Sequence, residues 1–120
     1  MLAAFNRDAR VAELMLSGSK INARDKGGDT ALMLAADRGS EKTILLLVYA
    51  GAQIDAKDRE GRTALLRAAV WGQDENVKVL LNAGADQTAR DNEGKTALTL
   101  ALEAEAHEVV KLLKSRGFPE

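Results

Sequence analysis

A period of 33 residues runs through this chain of 120 residues and limits its possible folds more than any other feature. The pattern Gly-x-Thr-Ala-Leu begins three times, at Gly28, Gly61 and Gly94. An aspartate and a second glycine keep the same step, at Asp25, Asp58 and Asp91 and at Gly18, Gly51, Gly84 and Gly117. Self-similarity at a fixed period of this length is typical of arrays in which each repeat stacks on its neighbours.

Each repeat contains two short segments with the apolar spacing of a helix. The first segment, the inner helix, is predicted at residues 30–38, 63–71 and 96–104. The second segment, the outer helix, is predicted at residues 41–50, 74–83 and 107–116. A threonine begins every inner helix, where its hydroxyl can accept a hydrogen bond from the first free N–H groups.

The connections between these helices are rich in residues that form turns. Gly39 and Gly72 are expected to end the inner helices in the left-handed conformation, which glycine adopts without penalty. The stretches 25–28, 58–61 and 91–94 predict hairpin-like fingers that link one helix pair to the next. The core has few aromatic residues, which make up 3% of the chain, and small alanines let neighbouring helices approach closely.

These features resemble the ankyrin repeat family, whose repeat has the same period and the motif T-P-L-H-x-A. The resemblance covers residues 1–118 and implies an all-α solenoid of stacked antiparallel helix pairs with hairpin-like fingers. Alanine replaces the family's proline, and Met33, Leu66 and Thr99 replace its histidine. Alanine is a good helix former, so we expect the fold to be kept. The missing histidine removes hydrogen bonds that usually tie adjacent fingers, so looser fingers are expected.

The register divides the chain into one domain of residues 1–120. It begins with a partial repeat at residues 1–27, whose outer helix is predicted at residues 8–16. Three repeats follow at residues 28–60, 61–93 and 94–120. In the last repeat, Glu105 and Lys114 replace a glycine and an apolar residue of the earlier repeats, so it is expected to form a polar cap at the end of the array.

Several classes of function are disfavoured by composition. The chain has no cysteine and a single histidine, His107, which leaves too few ligands for a zinc site. No nucleophile is placed to use His107 in catalysis, so it is interpreted as a solvated residue. The recurrent finger aspartates lack the acidic density of a calcium loop. We therefore expect no catalytic residue, no metal and no cofactor.

Charge and hydropathy give no reason to expect a nucleic acid or a membrane as the partner. The net charge is −1, and acidic and basic residues are evenly spread over both halves. The longest apolar run, residues 44–52, is too short to cross a bilayer. Residues 1–10 do not resemble a signal peptide, so we expect a cytoplasmic protein, or a periplasmic one if a signal peptide has been removed.

The resemblance implies that a partner binds in the concave groove formed by the finger tips and the inner helices. Trp71 is the only tryptophan and occupies a groove position that varies between repeats. Arg67, four residues earlier, could stack on the indole ring. Tryptophan and arginine are enriched at the centres of interfaces. The predicted partner site consists of Arg38, Arg59, Arg62, Arg67, Val70 and Trp71.

The sequence leaves several alternatives open. Trp71 could instead pack against the neighbouring finger while the arginines are solvated. Tyr49 is expected to be exposed on the convex side, and an isolated exposed aromatic residue needs no function. The preferred function is non-catalytic recognition of a protein partner by a monomer. The alternative is a structural array that positions another domain, within or beside a larger protein or enzyme complex.

Overall fold

The computed structural model describes residues 21–117, which form three stacked helix pairs. The inner helices are α1 (Ala31–Arg38), α3 (Ala64–Val70) and α5 (Ala97–Glu103), and the outer helices are α2 (Glu41–Tyr49), α4 (Asp74–Asn82) and α6 (His107–Ser115). Inner helices pack on inner helices and outer helices on outer helices, in chain order. This described part of the chain contains no strand. The predicted all-α repeat solenoid is confirmed, whereas the predictions for residues 1–20 and Phe118 lie outside the described residues.

The threonine predicted to start each inner helix is its N-cap. The hydroxyls of Thr30, Thr63 and Thr96 each accept a hydrogen bond of 3.3 Å from the backbone N–H three residues later. Each inner helix therefore begins one residue after the predicted start, because the cap itself has extended backbone angles. The outer helices end one residue before the predicted position.

The core lies between the inner and outer helices and consists mainly of alanine and leucine. The alanines of α1 and α3 have no exposed surface or almost none, as the close packing of inner helices requires. Leu47 and Leu80 of the outer helices are also completely buried. Because each repeat buries its apolar face against the next, stability comes from the interfaces between neighbours.

Side chains of one repeat also cap the helix of the previous repeat. Asn76, which is buried at the start of α4, donates hydrogen bonds to the carbonyls of Ala36 and Gly39, at 3.3 and 3.2 Å. Gln73 donates to the carbonyl of Asp37 at 2.8 Å. These carbonyls lie at or beyond the last turn of α1, where the helix provides no N–H donors for its own carbonyl groups. The second repeat therefore completes the C-terminus of the first inner helix.

Both glycines follow the ends of inner helices as predicted, but the left-handed conformation is confirmed only for Gly72 and is wrong for Gly39. Gly72 follows α3 with a φ of +68°, but Gly39 has extended angles, with a φ of −78°. A Cβ atom at Gly39 would lie 2.7 Å from the Cα and carbonyl oxygen of Ala35, so the space at this position excludes a side chain. The last repeat has Glu105 at the same position, with a φ of +56° that costs a non-glycine residue energy.

The fingers are built around the three recurrent aspartates. In each one, the aspartate Oδ1 accepts hydrogen bonds of 2.9 Å from the backbone N–H groups two and four residues later. The predicted role of these aspartates, bonding to their own turn, is thus confirmed. We call the turns finger 1 (residues 25–29), finger 2 (residues 58–62) and finger 3 (residues 91–95).

Adjacent fingers are tied together without the family's histidine. Asn92 donates its backbone N–H to the carbonyl of Glu60 at 2.9 Å and its side-chain amide to that of Arg59 at 3.0 Å. Arg59 in turn donates to the carbonyl of Lys26 at 2.9 Å. Arg24 bridges the carbonyls of Gly28 and Lys57. These polar side chains therefore supply hydrogen bonds between fingers where the family's histidine is missing.

Candidate functional site

A cleft of about 320 Å³ opens between fingers 1 and 2 and the inner helices α1 and α3. Ten residues line it: Gly27, Asp29, Asp37, Asp58, Arg59, Glu60, Arg62, Arg67, Val70 and Trp71. Five of the six residues predicted for the partner site are among them. The sixth, Arg38, lies beside the cleft, where its guanidinium contacts the ring of Trp71. The structure therefore brings all six together, although they come from two repeats.

Arg67 lines this cleft and is held by three carboxylates. Its Nε donates to Asp37 Oδ1 at 3.0 Å, and its Nη2 donates to the other oxygen of the same carboxylate. Its Nη1 donates to Asp29 at 2.7 Å and to Asp58 at 3.3 Å. The pair with Asp37 is bidentate, which is the strongest geometry between arginine and a carboxylate.

These groups are largely removed from water. The side chain of Arg67 is 13% exposed, and those of Asp37 and Asp58 are less than 10% exposed. Burial by itself lowers the pKa of Arg67, but the hydrogen bonds and charges of Asp37 and Asp29 outweigh it and raise the pKa above the ordinary value for arginine. The guanidinium is therefore charged at every physiological pH and joins α3 to α1 and to fingers 1 and 2.

The cation that stacks on Trp71 is Arg38, and not Arg67 as the sequence suggested. The Cζ atom of Arg38 lies 5.2 Å from the centre of the indole ring. Arg67 does not occupy that position because its guanidinium is bound to Asp37 and Asp29. Arg38 ends α1, one repeat before Trp71, so the stacking joins two neighbouring inner helices across the groove.

Trp71 itself is 54% exposed at the rim of the cleft. It is the C-cap residue of α3, and its backbone N–H bonds to the carbonyl of Arg67 at 3.1 Å. Val70 lies next to it and is partly buried against the core. The backbone of Trp71 is thus held in the helix cap and its ring contacts Arg38, while much of the ring surface faces solvent.

The two remaining arginines come from finger 2. Arg62 lies 3.4 Å from the carboxylate of Asp91 in finger 3 and 3.5 Å from that of Glu60. Burial tends to raise the pKa of Asp91, but backbone N–H groups of Lys95 and Glu93, together with Arg62, hold this pKa below its ordinary value. Arg59 is exposed and packs along Gly28 of finger 1. Arg62 therefore serves the contact between fingers, whereas Arg59 reaches the open side of the cleft.

Sequence reasoning missed the acidic side of the cleft. Asp29 aligns with Arg62 and Lys95, and Asp37 aligns with Val70 and Glu103, so both lie at positions that vary between repeats and these positions carried the signal. Each lies close to one full period from Arg67, as expected for residues that meet across neighbouring repeats. Asp58 was interpreted only as a turn residue, but its second carboxylate oxygen also accepts from Arg67.

The other residues singled out from the sequence form no site with this cleft. His107 is exposed at the start of α6. Tyr49 of α2 is 88% exposed, as expected. Among residues 21–117, no group of three or more histidine, cysteine, aspartate or glutamate side chains is arranged to hold a metal ion. No helix in the same range has the length and apolar character needed to cross a membrane.

The fold and the cleft define a solenoid of short helix pairs whose variable residues gather on the side that carries the fingers. A family model described as ankyrin repeats, in three copies, matches residues 1–91. This chain therefore belongs to the ankyrin repeat family, whose members generally act as protein–protein interaction modules. A comparison with curated proteins gives no match.

Proposed function

We propose that this protein is a non-catalytic interaction module that binds a protein partner in the groove between its fingers and inner helices. The observation that carries the proposal is the position of Trp71, a large aromatic residue half exposed at the rim of a cleft and held there by Arg38. The neighbouring repeats have Arg38 and Ala104 at the position that aligns with Trp71, so the scaffold does not require a tryptophan there.

A ring held in this way is well suited to binding. Association costs free energy when mobile side chains must be ordered, and a side chain that is already fixed avoids part of that cost. Trp71 is fixed by its backbone in the helix cap and by the guanidinium of Arg38. Covering its exposed surface with a partner would also remove apolar area from water.

The predicted arginines have different roles in this proposal. Arg38 and Arg59 are exposed and are available to contact the partner directly, together with Val70 and Trp71. Arg67 is enclosed by its three carboxylates, so it positions the walls of the cleft. Arg62 links fingers 2 and 3 through Asp91 and sets the spacing of the finger tips.

Capture followed by competition tests the proposal. The wild-type protein is immobilised as bait in an extract of the native organism, and Trp71→Ala and Tyr49→Ala serve as parallel baits. Both variants remove an exposed aromatic residue, but only one removes it from the cleft. We expect a partner retained by the wild type and by Tyr49→Ala to be lost from Trp71→Ala and not displaced by that variant when it is added in solution.

The result also separates recognition from the structural alternative. A partner that binds Trp71→Ala as well as the wild type would contradict recognition in this groove. If the same partner then depended on the convex side, shown by its loss from Tyr49→Ala, the array would act by positioning a neighbouring domain and the groove would have no part in binding.

A further inference from the structure

The charges around the cleft indicate the kind of partner that it fits. All four carboxylates that line the cleft are already in ion pairs: Asp29, Asp37 and Asp58 with Arg67, and Glu60 with Arg62. Asp29, Asp37 and Asp58 are thus directed at Arg67, although one guanidinium balances only one of their three charges, and Glu60 remains exposed.

Three cations near the cleft are exposed and differ from these paired groups. Lys26 at the tip of finger 1, Arg59 at the tip of finger 2 and Arg38 at the end of α1 are all exposed. Within residues 21–117, none of the three side chains forms an ion pair with a carboxylate. Arg59 donates to the carbonyl of Lys26, and Arg38 stacks on Trp71.

The opposite end of the groove differs. Lys95 of finger 3 lies 2.9 Å from Glu103 of α5 and 4.0 Å from Glu93. The hydrogen bond that Lys95 donates to Glu103, together with the charges of Glu103 and Glu93, raises the pKa of Lys95. The charge of Lys95 is thus already paired with carboxylates of the protein. Lys26, Arg38 and Arg59 are exposed around the part of the groove that contains Trp71, so exposed positive charge and exposed aromatic surface coincide there.

We propose that the partner presents an acidic peptide segment in which carboxylates flank a large apolar side chain. The apolar side chain covers Trp71 and Val70, and the carboxylates on either side pair with Arg38 and Arg59. This inference rests on the proposed function, because it assigns a chemistry to the partner of the same groove.

The inner carboxylates argue against a nucleic acid in the same place. A phosphate backbone carries a charge at every nucleotide and would follow the floor of the cleft as well as its rim. The floor contains Asp29, Asp37 and Asp58 around the single guanidinium of Arg67, so it repels a continuous polyanion. Separate carboxylates on a peptide can contact the rim and avoid the floor.

The single tryptophan provides the assay, because its fluorescence reports directly on the site. The probe is a short peptide with two glutamates on each side of one phenylalanine. Its controls carry lysine or glutamine in place of glutamate, and a single-stranded oligonucleotide is a further control. We expect only the acidic peptide to change the emission of Trp71, and added salt to weaken its binding because exposed charges are screened.

Charge variants locate the effect. Arg38→Gln and Arg59→Gln should each weaken binding of the acidic peptide about three- to fivefold, which is the range for an exposed ion pair. Lys78→Gln removes one positive charge from an exposed position of α4 and should leave binding unchanged. Circular dichroism confirms that each variant is folded, and Arg38→Lys should retain most of the affinity because it keeps the charge.

Two results would overturn the inference in distinguishable ways. Equal or tighter binding of the lysine peptide, the glutamine peptide or the oligonucleotide, or no effect of Arg38→Gln and Arg59→Gln, would refute an acidic partner and leave recognition at Trp71 intact. No change in Trp71 emission with any probe would refute the acidic partner as well. If Trp71→Ala bait also retained its partners in the capture experiment, the proposed function would fail with it.

Discussion

Arg67→Gln is the substitution that most directly probes the architecture of the cleft. It removes the one cation that binds Asp29, Asp37 and Asp58 and leaves these three carboxylates close together at the junction of two repeats. Glutamine keeps a polar side chain of moderate length but cannot neutralise any of them. The free energy of unfolding should therefore fall strongly, although no residue of the apolar core is changed.

The size of the loss follows from the burial of the groups. Breaking a buried ion pair from one side costs about 3–5 kcal/mol, because the remaining charge is left without a partner. Arg67 is 13% exposed and Asp29 is 24% exposed, so water can partly solvate the carboxylates that remain. We therefore expect a loss near the lower end, about 3 kcal/mol. Arg38→Gln, at an exposed cation that only stacks on Trp71, should cost no more than about 1 kcal/mol.

Urea unfolding at pH 7, followed by far-UV circular dichroism and by Trp71 fluorescence, measures these differences. The double variant Arg67→Gln/Asp29→Asn should recover about 1 kcal/mol or more of the loss, since it removes one of the unpaired charges. A loss below about 1 kcal/mol for Arg67→Gln, or no recovery in the double variant, would show that the carboxylates do not depend on this guanidinium.

Three further predictions concern the scaffold. Leu47→Ala or Leu80→Ala should lower the free energy of unfolding by about 2–5 kcal/mol, because both side chains are completely buried. Leu45→Ala, on the same helix as Leu47, changes a side chain that is 43% exposed and should cost far less. A melting temperature of either core variant within about a degree of wild type would contradict this prediction. Glu105→Gly should stabilise the protein by about 0.5–1 kcal/mol, because glycine adopts a φ of +56° without strain. Only part of this gain is lost to the flexibility of glycine in the unfolded chain. A lower melting temperature than that of the wild type would contradict this prediction. Asp91→Asn should destabilise the protein by about 1 kcal/mol at pH 7. The pKa of Asp91 is lower in the folded state than in the unfolded chain, so its contribution to stability is complete above about pH 4 and disappears as the pH falls further. The urea midpoints of wild type and variant should therefore converge in acid. A difference between the midpoints that is independent of pH would refute the role of this carboxylate.

The fold could be predicted from the sequence because its period appears directly in the order of residues. Threonine, glycine and aspartate at fixed spacing mark the caps, ends and turns, and each is dictated by local backbone chemistry. The inner helices begin one residue later than predicted only because Thr30 and its equivalents cap the helix from outside. Gly39 was mispredicted because a lack of space beside Ala35, and not a left-handed backbone, excludes a side chain there.

The cleft was less predictable because it depends on contacts between repeats. The sequence shows that Arg67 and Trp71 lie four residues apart on one helix, which favours stacking between them. It does not show that Asp37 of the previous repeat lies within hydrogen-bond distance of Arg67. Arg67 pairs with Asp37 because a bidentate ion pair is stronger than stacking on an exposed ring. The choice between Arg67 and Arg38 as the partner of Trp71 was therefore decided by the lateral packing of repeats.

The affinity of Trp71→Ala for a partner isolated with the wild-type protein tests the central proposal most directly. Calorimetry with purified components gives the dissociation constant for wild type, Trp71→Ala and the convex variant Tyr49→Ala. If Trp71 lies at the centre of the interface, its truncation should weaken binding about 30-fold or more, which corresponds to about 2 kcal/mol, and Tyr49→Ala should bind as the wild type does. An unchanged dissociation constant for a folded Trp71→Ala protein would contradict recognition in this groove.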